Sequence, residues 1–384
     1  MTDSTVLRGR VISAAHLLDD GIVTVRGERI EEVLPFDVWR ARHPRVAEPQ
    51  YRGLLLPGLV DIHVHGGGGY RFDTESPAEA EAAARFHHAR GTTTVLASLV
   101  TGSAATMLAQ VTALRKVAAA GFLAGIHAEG PFLSPARHGA QDPRHLREPD
   151  LDLVDRMIAA ADGHLRVVTL APELPGYREA ARRLREAGVV VALGHSDADY
   201  AVFRAALPPD GDATLVTHLA NAMPSLHHRA PGPVAAALHA AATTSAVVEV
   251  IGDGVHIDPG FAALAFAAAP DRVALVTDAI QAAGMPDGRY RLGEREIAVR
   301  AGVAGLPDGC LAGSTATLLE CLRWAVRGAG LPLRAAVLAA TSVPARAAGL
   351  REVGDLRADR LADLVILDDD LELHGVLRHG QWLT

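Results

Sequence analysis

Lysine is almost missing from this chain of 384 residues: Lys116 is the only one, and every other basic side chain among the 37 Lys and Arg is arginine. That takes lysine out of most catalytic roles. Cysteine is nearly as scarce. Cys310 and Cys321 are the only two, and they sit in no zinc-type spacing, so they read as unpaired thiols of a reducing cytoplasm. Positive charge is not in excess either. A formal net charge of -8 argues against a general binder of nucleic acid or of anionic membranes, and an anionic small substrate would need a local basic pocket. No apolar run is long enough to span a bilayer, and the opening Met-Thr-Asp-Ser-Thr-Val-Leu-Arg-Gly-Arg lacks the apolar core of a signal peptide. A soluble, cytoplasmic protein is expected. Repeats and low-complexity tracts are absent apart from Ala-rich helices.

What is present is a globular composition, 49% hydrophobic against 21% charged, at a length that fits one large barrel with an appendage. Short apolar strand candidates alternate with helical patterns from about residue 55. The strands read Leu54–His65, Thr92–Leu99, Leu123–Glu129, Leu165–Pro172, Val189–His195, Thr214–His218, Ala246–Val250 and Val273–Asp278. Helical spacing fills Pro77–Arg90, Ala104–Ala120, Tyr177–Ala187 and Pro233–Ala242, and Gly91, Gly121 and Gly188 fall where such helices should stop. Eight βα units predict a (β/α)8 TIM barrel over 55–346, with a doubly wound sheet as the alternative. The ends differ: residues 1–54 and 347–384 carry short strands and turns with too little bulk for separate cores. They are expected to pair into one small β-sandwich domain beside the barrel. Arg289–Val303 reads as an inserted hairpin.

Active sites of TIM barrels lie at the C-terminal ends of the strands. Here those ends carry His63 and His65, His127 and Glu129, His195, His218, then Asp253 and His256, then Asp278. Residues i and i+2 of a strand share a face, so the imidazoles of His63 and His65 can point at one spot. With Glu129, His195 and His218 they form an N/O donor set suited to zinc or another divalent transition metal. A carboxylated lysine bridging two metals is excluded because Lys116 lies mid-helix, and Glu129 is the natural substitute. His127 shares the face of Glu129 and is expected beside the ligands or the substrate. Asp278 reads as a helix cap, a metal ligand or, more sharply, the general base that takes a proton from a metal-activated water and returns it to a leaving amine.

Together these residues resemble the amidohydrolase superfamily and, within it, the N-acetylglucosamine-6-phosphate deacetylases. The resemblance runs through Pro57-Gly-Leu-Val-Asp-Ile-His-Val-His-Gly-Gly-Gly-Gly69, His127-Ala-Glu-Gly-Pro-Phe-Leu-Ser-Pro-Ala136, Gly194-His-Ser196, Thr217-His-Leu-Ala-Asn-Ala-Met223, His228-Arg-Ala-Pro-Gly232, Asp253-Gly-Val-His256, Leu275-Val-Thr-Asp278, Ala283-Gly-Met-Pro-Asp-Gly288 and Leu311-Ala-Gly-Ser-Thr315. His-x-His marks only the superfamily; the Glu-Gly-Pro-Phe-Leu and Asn-Ala-Met segments are far more specific. The resemblance implies one or two divalent metal ions per chain, zinc first, with iron, manganese or cobalt as alternatives. Glu129, His195 and His218 would hold the main ion, His63 and His65 would complete a second position, and Asp278 would be the catalytic acid/base. Asn221, the backbone of Ala222, Arg229 and His256 would bind the sugar phosphate. Leu311, Ala312 and Ser314 would line the pocket beside the acetyl group. A homodimer is implied, with phosphate contacts across its interface.

The chain departs from the family at Gln141, where histidine is usual and would lie near the substrate carbonyl or a sugar hydroxyl. An amide can donate a hydrogen bond but cannot become cationic. Ala220 replaces an aromatic and Ala230 an acid, both read as packing or loop changes. The activity implied is deacetylation of N-acetylglucosamine 6-phosphate, serving amino-sugar catabolism or cell-wall recycling. The alternatives are the same hydrolysis on N-acetylgalactosamine 6-phosphate or an unphosphorylated amide and, ranked lowest, a non-catalytic scaffold.

Overall fold

The computed structural model describes residues 4–207 and 215–383. Eight parallel strands stand in chain order in one sheet: Val60–Val64 (β1), Thr94–Leu99 (β2), Gly125–Glu129 (β3), Leu165–Leu170 (β4), Val190–Leu193 (β5), Leu215–Val216 (β6), Val247–Ile251 (β7) and Val273–Val276 (β8). Every residue of β1, β2, β3, β7 and β8 is buried, as parallel strands covered on both faces require. The sheet closes where the Asp278 N–H donates to the His63 carbonyl at 2.9 Å and the His65 N–H to Ala279 at 2.7 Å. The chain is thus the TIM barrel that the alternation of elements predicts. Thr214, the expected first residue of the sixth strand, lies outside the described residues.

Alternation along the strands divides the barrel interior into layers. Leu96, Val167 and Val247 belong to one apolar cluster. Two residues further on, the same faces carry Ser98, Thr169 and Glu249, all buried. The polar layer therefore lies toward the C-terminal ends, over an apolar floor. The surrounding helices begin at side-chain caps: Ser76, Ser103, Asp150, Asp199 and Asp258 each accept a first-turn N–H, and Thr317 with Glu320 forms a capping box. Among the described residues, no helix is long and apolar enough to cross a membrane.

The two chain ends meet in a seven-stranded sheet, ordered Gln381–Trp382, Leu373–Arg378, Leu364–Leu367, Tyr51–Pro57, Ser4–Ile12, Leu17–Arg26, Arg29–Pro35. It is one continuous hydrogen-bonded sheet. Tyr51–Pro57 pairs in parallel with Ser4–Ile12 and antiparallel with Leu364–Leu367. The expected strand Leu54–His65 is therefore two strands. Tyr51–Pro57 serves the small sheet and β1 serves the barrel, so position 54 falls inside a strand. The switch is made by two residues: the Gly58 N–H bonds Asp363 of the small domain at 2.8 Å, and the Leu59 N–H bonds Gly91 of the barrel at 2.9 Å. Leu55, fully buried between Val11 and Ile366, anchors the sheet core. Leu55→Ala is expected to cost about 2–5 kcal/mol, read as a lowered denaturation midpoint.

The inserted hairpin is a three-stranded antiparallel sheet, Gly288–Leu292, Arg295–Arg300 and Val303–Gly305. Its tip is fixed by the Gly293 N–H donating to Asp73 Oδ2 at 2.7 Å. Arg295 Nη1 donates to the carbonyls of Ala140 and Gln141, each at 3.3 Å, so the hairpin grips the loop that follows β3.

Candidate active site

The turns leaving the barrel strands place the polar side chains. His195, His218 and Asp278 follow β5, β6 and β8 in left-handed backbone conformations, with φ of 48°, 27° and 49°. Such conformations are uncommon for residues with a Cβ, cost about 1–3 kcal/mol each and cluster at functional sites. Gly130, at φ 94°, follows Glu129 where a Cβ would collide with Thr101 Oγ1; only glycine lets the chain turn there.

Glu129 is the centre. Its Oε1 lies 2.9 Å from His218 Nε2, 3.1 Å from His195 Nε2 and 3.6 Å from His63 Nε2. Its Oε2 lies 3.2 Å from His65 Nε2 and accepts from Gln141 Nε2 at 2.6 Å. Asp278 Oδ1 stands 3.2 Å from His65 Nε2 and 3.5 Å from His63 Nε2. Two donor groups result, His63–His65–Glu129 and Glu129–His195–His218, each with its atoms within 4.8 Å of one another. They share the carboxylate.

The tautomers follow from the outer partners. His63 Nδ1 is 2.9 Å from Glu249 Oε2, and His195 Nδ1 is 2.8 Å from the Arg137 carbonyl. Both partners only accept, so each Nδ1 carries a proton and Nε2 is the nitrogen left facing inward, the one that could serve a metal ion. Nε2 atoms then face each other at 3.2 Å for His63 and His65, and at 3.1 Å for His195 and His218. Inward-facing imidazole nitrogens around a carboxylate fit a divalent metal ion. A further group, Asp142, His145 and Glu294, is different. The Arg144 guanidinium already bonds both of its carboxylates.

Electrostatics point the same way. Burial raises the pKa of Glu129, but His63, His195 and His218 outweigh it and hold the carboxyl well below its ordinary range. Burial likewise raises Asp278, yet the neighbouring His63 and His65 bring it down to about 2. Burial lowers His65, while Asp278 and Glu129 pull it up to about 9. The buried carboxylates demand positive charge at this spot. His127 is excluded from that role. Burial and His63 push it well below the usual range, and its nitrogens are taken by Ser98 Oγ at 3.0 Å and Thr169 Oγ1 at 2.8 Å.

Above the cluster opens a cavity of about 230 Å³ lined by His65, Glu129, His195, His218 and Asp278 on one side, and by Gln141, Asn221, Ala222, His256 and Leu311 around it. His256 Nδ1 lies 2.6 Å from Asp253 Oδ2. Burial lowers His256, but this bond and the charge of Asp253 raise it overall, so the cavity wall carries a cationic tendency. Not every residue expected at the site lines the cavity. Arg229 is exposed on a loop outside the lining. Ala312 is buried in the core cluster of Ile280 and Leu292, and the Ser314 hydroxyl is committed to the Thr277 carbonyl at 2.6 Å. Gly313, between them, does line the cavity, as do Leu292 and Cys310.

Two functional carboxylates escaped the sequence reading. Glu249 on β7 orients His63 and also accepts the His218 N–H at 3.1 Å. Asp61 on β1 accepts from the His63 N–H at 3.3 Å and from Thr277 Oγ1 at 2.6 Å, and burial pushes it up to about 7. The available signal was a lone acid inside a short apolar strand.

The amidohydrolase family profile matches residues 54–383. The chain belongs to the amidohydrolase family. This amidohydrolase is 36% identical over 385 residues to the N-acetylgalactosamine-6-phosphate deacetylase of Escherichia coli O157:H7, covering 98% of each chain. It is 35% identical over 332 residues to the N-acetylglucosamine-6-phosphate deacetylase of Vibrio furnissii, covering 85% of this chain and 82% of that one. Among solved structures it is similar to a mutant of N-acetyl-D-glucosamine-6-phosphate deacetylase from Mycobacterium smegmatis in complex with N-acetyl-D-glucosamine-6-phosphate, with a TM-score of 0.92, 40% identity and 99% of both chains covered.

Proposed function

We propose that this amidohydrolase hydrolyses N-acetyl-D-glucosamine 6-phosphate to D-glucosamine 6-phosphate and acetate. The observation that carries the reading is the Glu129-centred donor cluster with Asp278 at its edge, opening into the same cavity as the His256–Asp253 pair. Glu129, His195 and His218 would hold one divalent ion, and His63, His65 and Glu129 a second, zinc being the best match to the donors. A bound ion supplies Lewis acidity for the amide carbonyl and for a water molecule. Asp278, ionised at neutral pH, would be the group that takes a proton from the attacking water and gives it to the leaving nitrogen. Asn221, the Ala222 backbone and His256 bind the sugar phosphate. Arg229, exposed and outside its own cavity, is assigned to the phosphate of the second site in a homodimer, where guanidinium suits phosphate oxygens. We place the enzyme in the cytoplasm, in amino-sugar catabolism or cell-wall recycling, with no nucleic-acid or membrane partner.

Acetate release from N-acetylglucosamine 6-phosphate by metal-loaded protein tests the reading; no turnover above an Asp278→Asn control rejects it. The galactose epimer is the second reading, supported by the Escherichia coli relative, and kcat/KM on the two sugar phosphates and their unphosphorylated forms decides between them. Two ions per chain are expected by metal analysis, and the His63→Asn, His65→Asn double variant is expected to lose one. A purified chain holding no divalent ion would favour the scaffold.

The phosphate contact yields a further prediction. In Asp253→Asn, His256 loses the charge that raises it, and KM for the phosphorylated sugar should rise roughly 10–100-fold, the equivalent of one charge-assisted hydrogen bond of about 1.5–3 kcal/mol. The cation is present below the raised pKa and lost as pH rises through it. KM should therefore climb on the alkaline side, and at lower pH in the variant.

A further inference from the structure

We propose that Gln141 is a positioning residue that fixes the rotation of the Glu129 carboxylate and thereby sets how tightly the cluster binds its metal. The inference rests on the metal-dependent reading above and adds a role for a side chain that the sequence placed against substrate.

The amide is clamped at both ends. Its Oε1 accepts the Thr101 backbone N–H at 2.7 Å, and its Nε2 donates to Glu129 Oε2 at 2.6 Å. Amide oxygen and nitrogen are usually hard to tell apart, but here the chemistry orders them. A backbone N–H only donates, and an ionised carboxylate only accepts. Nε2 must therefore face Glu129. Thr101 adds a second tie, its Oγ1 donating to the Glu129 carbonyl at 3.2 Å. The loop bearing Gln141 is itself held by Arg295, which donates to the Gln141 carbonyl. Gln141 is 4% exposed, so water does not compete for these bonds.

The plane of the carboxylate gives the contact its consequence. Glu129 Oε1 serves His195 and His218, while Oε2 faces His65. A turn of the carboxylate plane would carry one oxygen off His195 and His218 and the other off His65, and the donation from Gln141 holds the plane at this angle. Partners of this kind, one bond removed from a metal, typically change metal affinity or activity 10–100-fold when lost. A neutral histidine could reproduce the bridge, accepting from Thr101 with one nitrogen and donating with the other. A glutamate would keep the Thr101 bond and set a carboxylate against Glu129.

The experiment is chelator competition for zinc on the full chain without substrate, comparing the unaltered protein with Gln141→Leu, Gln141→Glu and Gln141→His, alongside kcat and KM. Gln141→Leu and Gln141→Glu are expected to weaken zinc binding about 10–100-fold, with Gln141→His restoring most of it. If Gln141→Leu does not fold, the Glu and His pair decides, since both keep an acceptor for Thr101. Unchanged zinc affinity in Gln141→Leu and Gln141→Glu with a raised KM would make Gln141 a substrate donor and overturn the proposal, as would an unaltered chain that binds no zinc. Weakened zinc binding in a protein that releases no acetate from any N-acetyl sugar phosphate would leave the proposal standing and reject the deacetylase reading.

Discussion

Asparagine in place of Asp278 is expected to lower kcat for acetate release about 10²–10⁴-fold, with KM changed little. The side chain of Asp278 is 13% exposed, against 5% or less for His63, His65, Glu129, His195 and His218. It is the member of the cluster that a water or a substrate nitrogen can reach. Its pKa of about 2 keeps the proton-accepting form populated across the neutral range. Asparagine preserves the shape and the hydrogen-bonding oxygen but cannot take the proton. Unchanged kcat in a variant with normal metal content would remove Asp278 from the chemistry. Collapse of metal content would make it a ligand instead.

The second large effect is expected at Glu129. Glu129→Gln should reduce metal affinity by more than the roughly 100-fold typical of an outer partner and take activity to background. Five polar contacts converge on this carboxylate, from His63, His65, His195, His218 and Gln141, and both donor groups use it. An amide supplies one neutral acceptor where the carboxylate supplied two charged ones. The metal-free variant should also be less stable, because breaking a buried ion pair from one side costs about 3–5 kcal/mol. Metal analysis with thermal unfolding measures both. Full metal content in Glu129→Gln would move the centre of the site elsewhere.

The donor set was legible because metal chemistry imposes residue types at particular strand ends. His63 and His65 show it through the two-residue period of a strand, and Glu129, His195 and His218 through their place after apolar runs. The left-handed turns at His195, His218 and Asp278 were not legible, since nothing in a histidine or aspartate announces positive φ. Glu249 and Asp61 stayed hidden for another reason: their partners lie across the barrel, and sequence distance conceals barrel neighbours. Leu54–His65 looked like one strand because hydrophobicity runs through it; Pro57, which has no N–H to donate, and Gly58 mark the change of sheet that hydrophobicity does not. Composition could not reveal that the Gln141 amide points at Glu129, because that depends on where the Thr101 N–H ends up.

The strand Tyr51–Pro57 lies between Ser4–Ile12 and Leu364–Leu367 and runs, two residues later, into the strand that carries His63. A ribosome makes one neighbour of that strand before the barrel and the other after it. Because domains form as units during synthesis, N-terminal parts first, and contacts between distant residues form slowly, the small sheet stays open along one edge until the whole barrel has emerged. The strand that carries His63 and His65 is thus tethered to a sheet completed only after the barrel, and a polypeptide stalled just short of residue 364 would carry every candidate ligand without a finished anchor for His63 and His65.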